Sequence, residues 1–369
     1  MKFACDKQTL CEAINNVARA AAIKSTITAL EGIKVKLTAD TLQLTGYDLE
    51  LGIKTDIPVK GDESGEFVIN SRLFSDMIRK MPADQVAVEV DGNLGAKVSG
   101  GLTEYNIMVL SAEEYPEIPD FDRDKSFSVK QSVLKNMISQ TLFAVAVTDN
   151  KPVLTGEFFD IENGGFNLVA IDGYRLAVRH EKIETEEKYS FVVPAKALKE
   201  VAGLLRDDDE LSCQIFTSKK HIIFDISGYM VISRLLEGEF HNYKGSIPAV
   251  TSTEAIVRTR DFINSLERCS LLINDRIKAP VKCLFSNGEV KVHCSTSIGK
   301  YSDAFNVDLA GPMVEIGFNC KYLLDALKAS ESDQVKLQMN GGLSPMKIVP
   351  LDGDAYTLLV LPVRLKADA

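Results

Sequence analysis

The chain has 369 residues, 45% of them hydrophobic and 25% charged, with seven cysteines and a net charge of −10. That length suits two or three domains that each bury a core, and the ordinary composition excludes a disordered or fibrous chain. No apolar run approaches a membrane span and Met1-Lys-Phe-Ala-Cys-Asp6 lacks the apolar core of a signal peptide. The odd cysteine count without Cys-x-x-Cys predicts buried free thiols in a reducing cytoplasm.

The elements begin with a strand over Met1–Cys5 and an amphipathic helix over Asp6–Ala21. Alternating apolar residues predict strands over Gly32–Thr38, Thr41–Thr45 and Leu49–Ile57, and Pro58–Gly65 reads as a polar loop. Glu66-Phe-Val-Ile-Asn70 is of strand type and runs into a helix over Ser71–Met81. Strands over Val86–Val90, Gly95–Ser99 and Glu104–Leu110 turn at Asp91-Gly92-Asn93 and Gly100-Gly101. Glu113–Asp122, with two prolines and five acids, reads as a linker.

From Ser126 the series starts again. A helix ends near Val147, and strands Phe166–Ile171 and Leu176–His180 flank the turn Asp172–Arg175. Ser190–Val193 leads into a helix over Pro194–Arg206, with Pro194 placed at its first turn. Strands over Leu211–Phe216, His221–Ser227 and Met230–Leu235 follow, then a second linker over Gly238–Pro248. A third series runs from Thr251, with helices over Arg258–Ser270 and Asn319–Glu331. It closes with a strand over Ala355–Val360 and the segment Leu361-Pro-Val-Arg-Leu365.

Two markers give one long period. Phe74, Leu198 and Leu323 are separated by 124 and 125 residues; the helix starts at Gln8, Ser132 and Arg260 are separated by 124 and 128. A period of a third of the chain means duplicated domains, here 1–124, 125–250 and 251–369. Each is α+β, with two helices and antiparallel sheets. The six helices sum to +7, which leaves −17 on the rest. Net acidity alone argues against nucleic acid, but distribution matters more than the total: exposed helices favour Lys and Arg in any case, and a split of 24 charges makes that the weaker reading.

Chemistry-bearing motifs are sparse. His180, His221, His241 and His293 have no metal-ligand spacing, Asp207–Glu210 reads as a solvated turn, and Gly299-Lys300-Tyr301 lacks the rest of a phosphate loop. No metal or cofactor is implied. In Asp172-Gly173-Tyr174-Arg175-Leu176, Asp and Gly account for a turn. Tyr and Arg at its exit either are structural or anchor a peptide interface. The residues alone leave open a duplicated binding scaffold and an enzyme centred on Asp172, Tyr174 and Arg175.

Six ordered motifs narrow this: Leu44-Thr-Gly-Tyr-Asp-Leu-Glu50, Glu114-Tyr-Pro-Glu-Ile118, Lys151-Pro-Val-Leu-Thr-Gly156, Val169-Ala-Ile-Asp-Gly-Tyr-Arg-Leu-Ala-Val178, Gly238-Glu-Phe-His-Asn-Tyr243 and Leu361–Leu365. Across the whole chain they resemble the bacterial DNA polymerase III β subunit, the sliding-clamp family. The resemblance implies a DNA-clamp fold and a non-catalytic, cytoplasmic processivity factor. It also implies a head-to-tail homodimer that closes a ring of six similar domains. Twelve helices about 9 Å apart would leave a hole roughly 25 Å across, which admits double-stranded DNA.

It further implies a cleft for peptide segments of the replicative polymerase, the clamp loader and other clamp-binding proteins. By matching positions the cleft is lined by Leu154, Ile171, Gly173, Tyr174, Arg175, Leu176, His241, Asn319, Tyr322, Leu343, Ser344, Leu361, Pro362, Val363 and Arg364. Lys24, Arg72, Thr148, Lys151 and Lys196 match DNA-facing positions; Tyr105 and Ile107, against Leu271 and Leu272, match the dimer contact. The chain departs from the family pattern with Ile171 for Thr, His241 for Pro, Leu361 for Met, and an extension Lys366–Ala369. Ile171 and Leu361 predict a more apolar pocket that favours bulky aliphatic anchors.

Overall fold

Side chains just ahead of the apolar stripes set several helix starts. The computed structural model describes residues 1–121, 123, 125–148, 151–273, 277–286 and 288–365, so the extension Lys366–Ala369 lies outside the described residues. Its helices are α1 (Lys7–Val17), α2 (Ser71–Lys80), α3 (Gln131–Thr141), α4 (Ala195–Leu204), α5 (Thr259–Ser270) and α6 (Cys320–Ala329). Asp6, Asn70 and Asn319 cap α1, α2 and α6 by accepting main-chain N–H groups of the first turn. Each helix then buries one stripe: Leu10, Ile14 and Val17 on α1, Phe74, Met77 and Ile78 on α2, Phe262 and Leu266 on α5, Leu323 and Leu327 on α6. The helices are shorter than the pattern predicts. Past α1 and α3 the chain tightens into 3-10 turns at Ala18–Ala20 and Leu142–Ala144. Pro194 ends the strand Tyr189–Pro194 rather than opening α4. That strand is a sheet edge, where a missing N–H breaks no ladder.

The chain forms two compact units. The first is Met1–Lys135 with Lys196–Leu235. It holds a five-stranded antiparallel sheet in the order Lys60–Glu63, Lys2–Asp6, Gln85–Val90, Gly95–Gly100, Thr103–Met108. Lys60–Glu63 falls in the expected polar loop. It pairs with Lys2–Asp6 through its backbone while its side chains stay largely in water, so no apolar alternation announces it. An eight-stranded sheet completes the unit, and in it Tyr229–Arg234 joins Leu51–Pro58 with Ile232 opposite Gly52.

The second unit is Asn136–Ala195 with Leu236–Ala369. Its nine-stranded sheet joins Arg175–Lys182 to Tyr356–Val360, with Leu176 opposite Leu359. The strand Gly156–Glu162, absent from the sequence reading, forms a hairpin with Gly165–Ile171 through Asn163 and Gly164, both left-handed. A four-stranded sheet ends at Gly299–Asn306. In each unit a strand of one sequence third pairs with a strand of the next. That pairing makes the compact units differ from the thirds.

The two expected linkers are packed straps. Tyr115 is buried and donates to Thr45 O at 3.1 Å, while Phe240 stacks on Phe158 with centroids 4.8 Å apart. Their aromatic residues outweigh the prolines and acids that suggested free chain. Of the seven cysteines, six are buried and Cys11 is half-buried; burial pushes the Cys5 thiol up to about 11. Among the described residues no helix is long and apolar enough to cross a membrane.

Candidate functional site

The second unit builds a cleft around the turn that the sequence singles out. Gly173 takes φ +88°, a conformation that a side chain would strain. Asp172 Oδ1 accepts the N–H groups of Tyr174 at 2.9 Å and Arg175 at 3.0 Å, which locks the turn. The other oxygen, Oδ2, accepts Arg175 Nε at 2.9 Å. A second carboxylate, Asp325 on α6, accepts from an Arg175 terminal nitrogen at 2.7 Å. The guanidinium also lies 4.5 Å above the Tyr322 ring and 5.4 Å from the Phe143 ring. Arg175 is only 7% exposed. Its charge is matched inside the protein, so it holds the turn and α6 together and is not a free hook for a ligand.

Tyr174 is the exposed partner, at 61%, and its ring sits 5.9 Å from Tyr322. The terminal segment crosses the same place. Leu361 N–H donates to Tyr174 O at 2.9 Å and Val363 N–H to Gly317 O at 2.8 Å. Between turn and segment lies a cavity of about 450 Å³. Val153, Leu154, Ile171, Leu176, Leu359 and Leu361 make it apolar. One wall is polar: Glu239, His241 and Ser246 come from the second strap, with His241 Nε2 2.9 Å from Ser246 Oγ. Tyr243 pins that strap by donating to Asp160 at 2.7 Å, and burial together with this bond pushes its phenol up.

Of the expected cleft residues, Leu154, Ile171, Gly173, Arg175, Leu176, His241 and Leu361 line this cavity. Tyr174 and Tyr322 form a tilted ring pair, and Leu343 stands 80% exposed. Asn319 and Val363 line a separate cavity. Asp325, Phe143, Glu239 and Ser246 were not anticipated. Asp325 falls one helical turn from both Lys321 and Lys328, on the charged face of α6, so no pattern in the sequence marks it. In the first unit Ile118 and Tyr47 pack over Gly52, where a Cβ would meet Ile118 at 2.9 Å, and the strap leaves a cavity of about 260 Å³ beside Tyr115 and Ile118.

The expected DNA-facing residues divide between the units. In the first, Lys24 and Arg72 are exposed, and Lys196 is paired with Asp48. Arg72 shares a shallow hollow on α1 and α2 with Arg19 and Arg79, which the sequence reading passed over. Arg19 reaches Glu200 at 3.7 Å and Arg79 pairs with Asp76. In the second unit Thr148 is exposed and Lys151 lines the cleft. Tyr105 and Ile107 lie on the free edge strand Thr103–Met108. Leu271 and Leu272 follow α5, with Leu271 80% exposed.

Comparison with known proteins decides the family. The N-terminal, central and C-terminal domains of the DNA polymerase III β subunit match residues 1–119, 128–242 and 244–364. The chain belongs to the β sliding clamp family. The beta sliding clamp of Bacillus subtilis is 32% identical over 377 residues, covering 99% of this chain and all of that one. A solved DNA polymerase sliding clamp from the same organism superposes with a TM-score of 0.95 at 31% identity, covering 99% of this chain and 100% of that one. A Pseudomonas aeruginosa sliding clamp solved with bound griselimycin gives 0.93 at 25% identity, with the same coverage. The fold is thus the three-domain clamp fold, and the family function is that of a non-catalytic processivity factor in DNA replication.

Proposed function

We propose that two copies of this chain pair head to tail into a ring that encircles duplex DNA and tethers the replicative polymerase, the clamp loader and other proteins through the cleft at Asp172–Arg175. The observation that carries the dimer is a pair of unused sheet edges. Tyr229–Arg234 pairs with Leu51–Pro58, and Tyr356–Val360 pairs with Arg175–Lys182. By the repeat, Thr103–Met108 is the first domain's counterpart of Tyr229–Arg234 and Tyr356–Val360, and Gly299–Asn306 is the third domain's counterpart of Leu51–Pro58 and Arg175–Lys182. Both end their sheets. Open edges seek partners, and a contact between unlike edges closes when two copies complete it. Tyr105 and Ile107 would then face Leu271 and Leu272, and the domain bounds 1–124, 125–250 and 251–369 follow the same repeat.

The arginine-bearing face of α1 and α2 supports DNA contact in the first unit, and Thr148 and Lys151 supply it in the second. An encircling protein need not grip phosphates, so a net charge of −10 is compatible with retention on DNA. The apolar cleft beside exposed Tyr174 suits a short extended peptide with one or two large apolar anchors. Sedimentation velocity tests the pairing. Wild type should run as a dimer at micromolar concentration, and a variant with Ile107→Lys, Leu271→Ala and Leu272→Ala should run as a folded monomer. A monomeric wild type would sink the proposal.

A further inference from the structure

The second cavity near the cleft measures about 550 Å³. Ile273, Ala279, Pro280, Phe318, Leu324 and Val363 give it an apolar lining. Two exposed lysines, Lys278 and Lys321, also line it, and among the described residues neither has an ion-pair partner. An apolar hollow with two cations that no described carboxylate pairs, on a chain of net charge −10, selects a ligand that is itself both apolar and anionic. The N-terminus of α6 is not the anion acceptor, because Asn319 already takes the N–H groups of Lys321 and Tyr322.

The two cavities are joined by the terminal segment. Leu361 lines the first and Val363 the second, and an extended step of two residues covers about 7 Å. Main-chain bonds from Leu361 to Tyr174 and from Val363 to Gly317 fix that segment in place. A peptide anchored in the first cavity therefore reaches the second within a few residues.

We propose that the cavity at Lys278 and Lys321 binds an acidic, aliphatic flank of the same partner segments whose apolar anchor occupies the cleft. The inference rests on the peptide-binding reading of the cleft and adds the charge class of the partner. A free inorganic anion would leave the apolar lining unused. An aliphatic side chain with one or two carboxylates satisfies both halves.

The test is fluorescence anisotropy with three labelled peptides: a short one with a leucine and phenylalanine anchor, the same extended at either end by Asp-Leu-Glu, and the same extended by Ser-Leu-Ser. Two exposed lysine–carboxylate contacts and one buried leucine should tighten binding about tenfold over the short peptide. The serine flank keeps the leucine and loses only the two ion pairs, so it should bind about two- to fivefold more weakly than the acidic flank. In Lys278→Glu with Lys321→Glu that advantage of the acidic over the serine flank should vanish while the short peptide binds as it does to wild type, with an unchanged melting temperature. An acidic flank no better than the serine flank on wild type, or the same advantage on the variant, overturns the inference. A short peptide that fails to bind wild type overturns the cleft reading itself, and this inference with it.

Discussion

Replacing Glu157 with Met should stabilise the protein, and more so as the pH rises. Glu157 lies on Gly156–Glu162 with none of its surface exposed. Its Oε1 is 2.9 Å from Thr141 Oγ1, and its Oε2 has no partner among the described residues. The Thr141 hydroxyl has one proton and a second neighbour, Met137 O, at 2.7 Å. If that proton goes to Met137, Thr141 can only accept from Glu157, which requires a protonated carboxyl. Burial pushes Glu157 well above the ordinary carboxylate range, and the Thr141 bond opposes this only in part.

Between the unfolded and folded pKa values the folded state holds a proton that the unfolded state has lost, so stability falls with rising pH. Below the unfolded value the penalty is absent; above it the penalty grows. Methionine fills a similar volume and removes both the titration and the orphan oxygen. An unsatisfied buried polar group costs about 1–3 kcal/mol, and each kcal/mol moves the midpoint of a unit this size by about 2–4 °C. Thermal unfolding by circular dichroism at pH 5 and pH 8 should show a higher midpoint for Glu157→Met at both, with the larger gain at pH 8. A variant less stable than wild type at pH 8, or a gain independent of pH, would refute the reasoning.

Other substitutions probe the site. Asp325→Ala removes one of two carboxylates from a buried guanidinium, and since Asp172 remains the cost should be about 1–3 kcal/mol, read as a lower melting midpoint. Peptide affinity in anisotropy should fall with it, because the Tyr174–Tyr322 pair loses its support. Truncation after Val360 keeps the strand Tyr356–Val360 but deletes Leu361 and Val363; peptide binding should disappear while sedimentation still reports a dimer. Arg72→Ala with Arg79→Ala should leave the fold intact and weaken unloaded DNA binding, with the salt slope reduced by up to about 0.9 per phosphate lost.

Much of this architecture is legible in the sequence because the duplication repeats the apolar stripes of α1 to α6 and the alternation of the central strands. Gly32–Thr38 is an example whose bounds the pattern gives in full. What escapes is backbone-driven or long-range. Lys60–Glu63 pairs without apolar side chains, and Pro194 is tolerated only because its strand is an edge. The linkers look free from their prolines and acids, yet Tyr115, Phe240 and Tyr243 bind them down. At the cleft, motif matching finds Tyr174 and Arg175 but not how they differ. Asp325, 150 residues away from Arg175, neutralises the arginine and leaves the tyrosine to the solvent. Likewise Ile171 and Leu361 suggest an apolar pocket, and only the folded strap brings Glu239, His241 and Ser246 to its wall.

The proposed ring holds DNA by enclosing it. The most direct measurement is the dissociation half-life of the loaded protein on nicked circular DNA, compared with the same DNA cut once, at moderate salt. An enclosing ring should show long retention on the circle and rapid loss from the linear form, with both little changed when salt is raised. Equal half-lives on the two, falling together as salt rises, would contradict it and point to binding by surface charge.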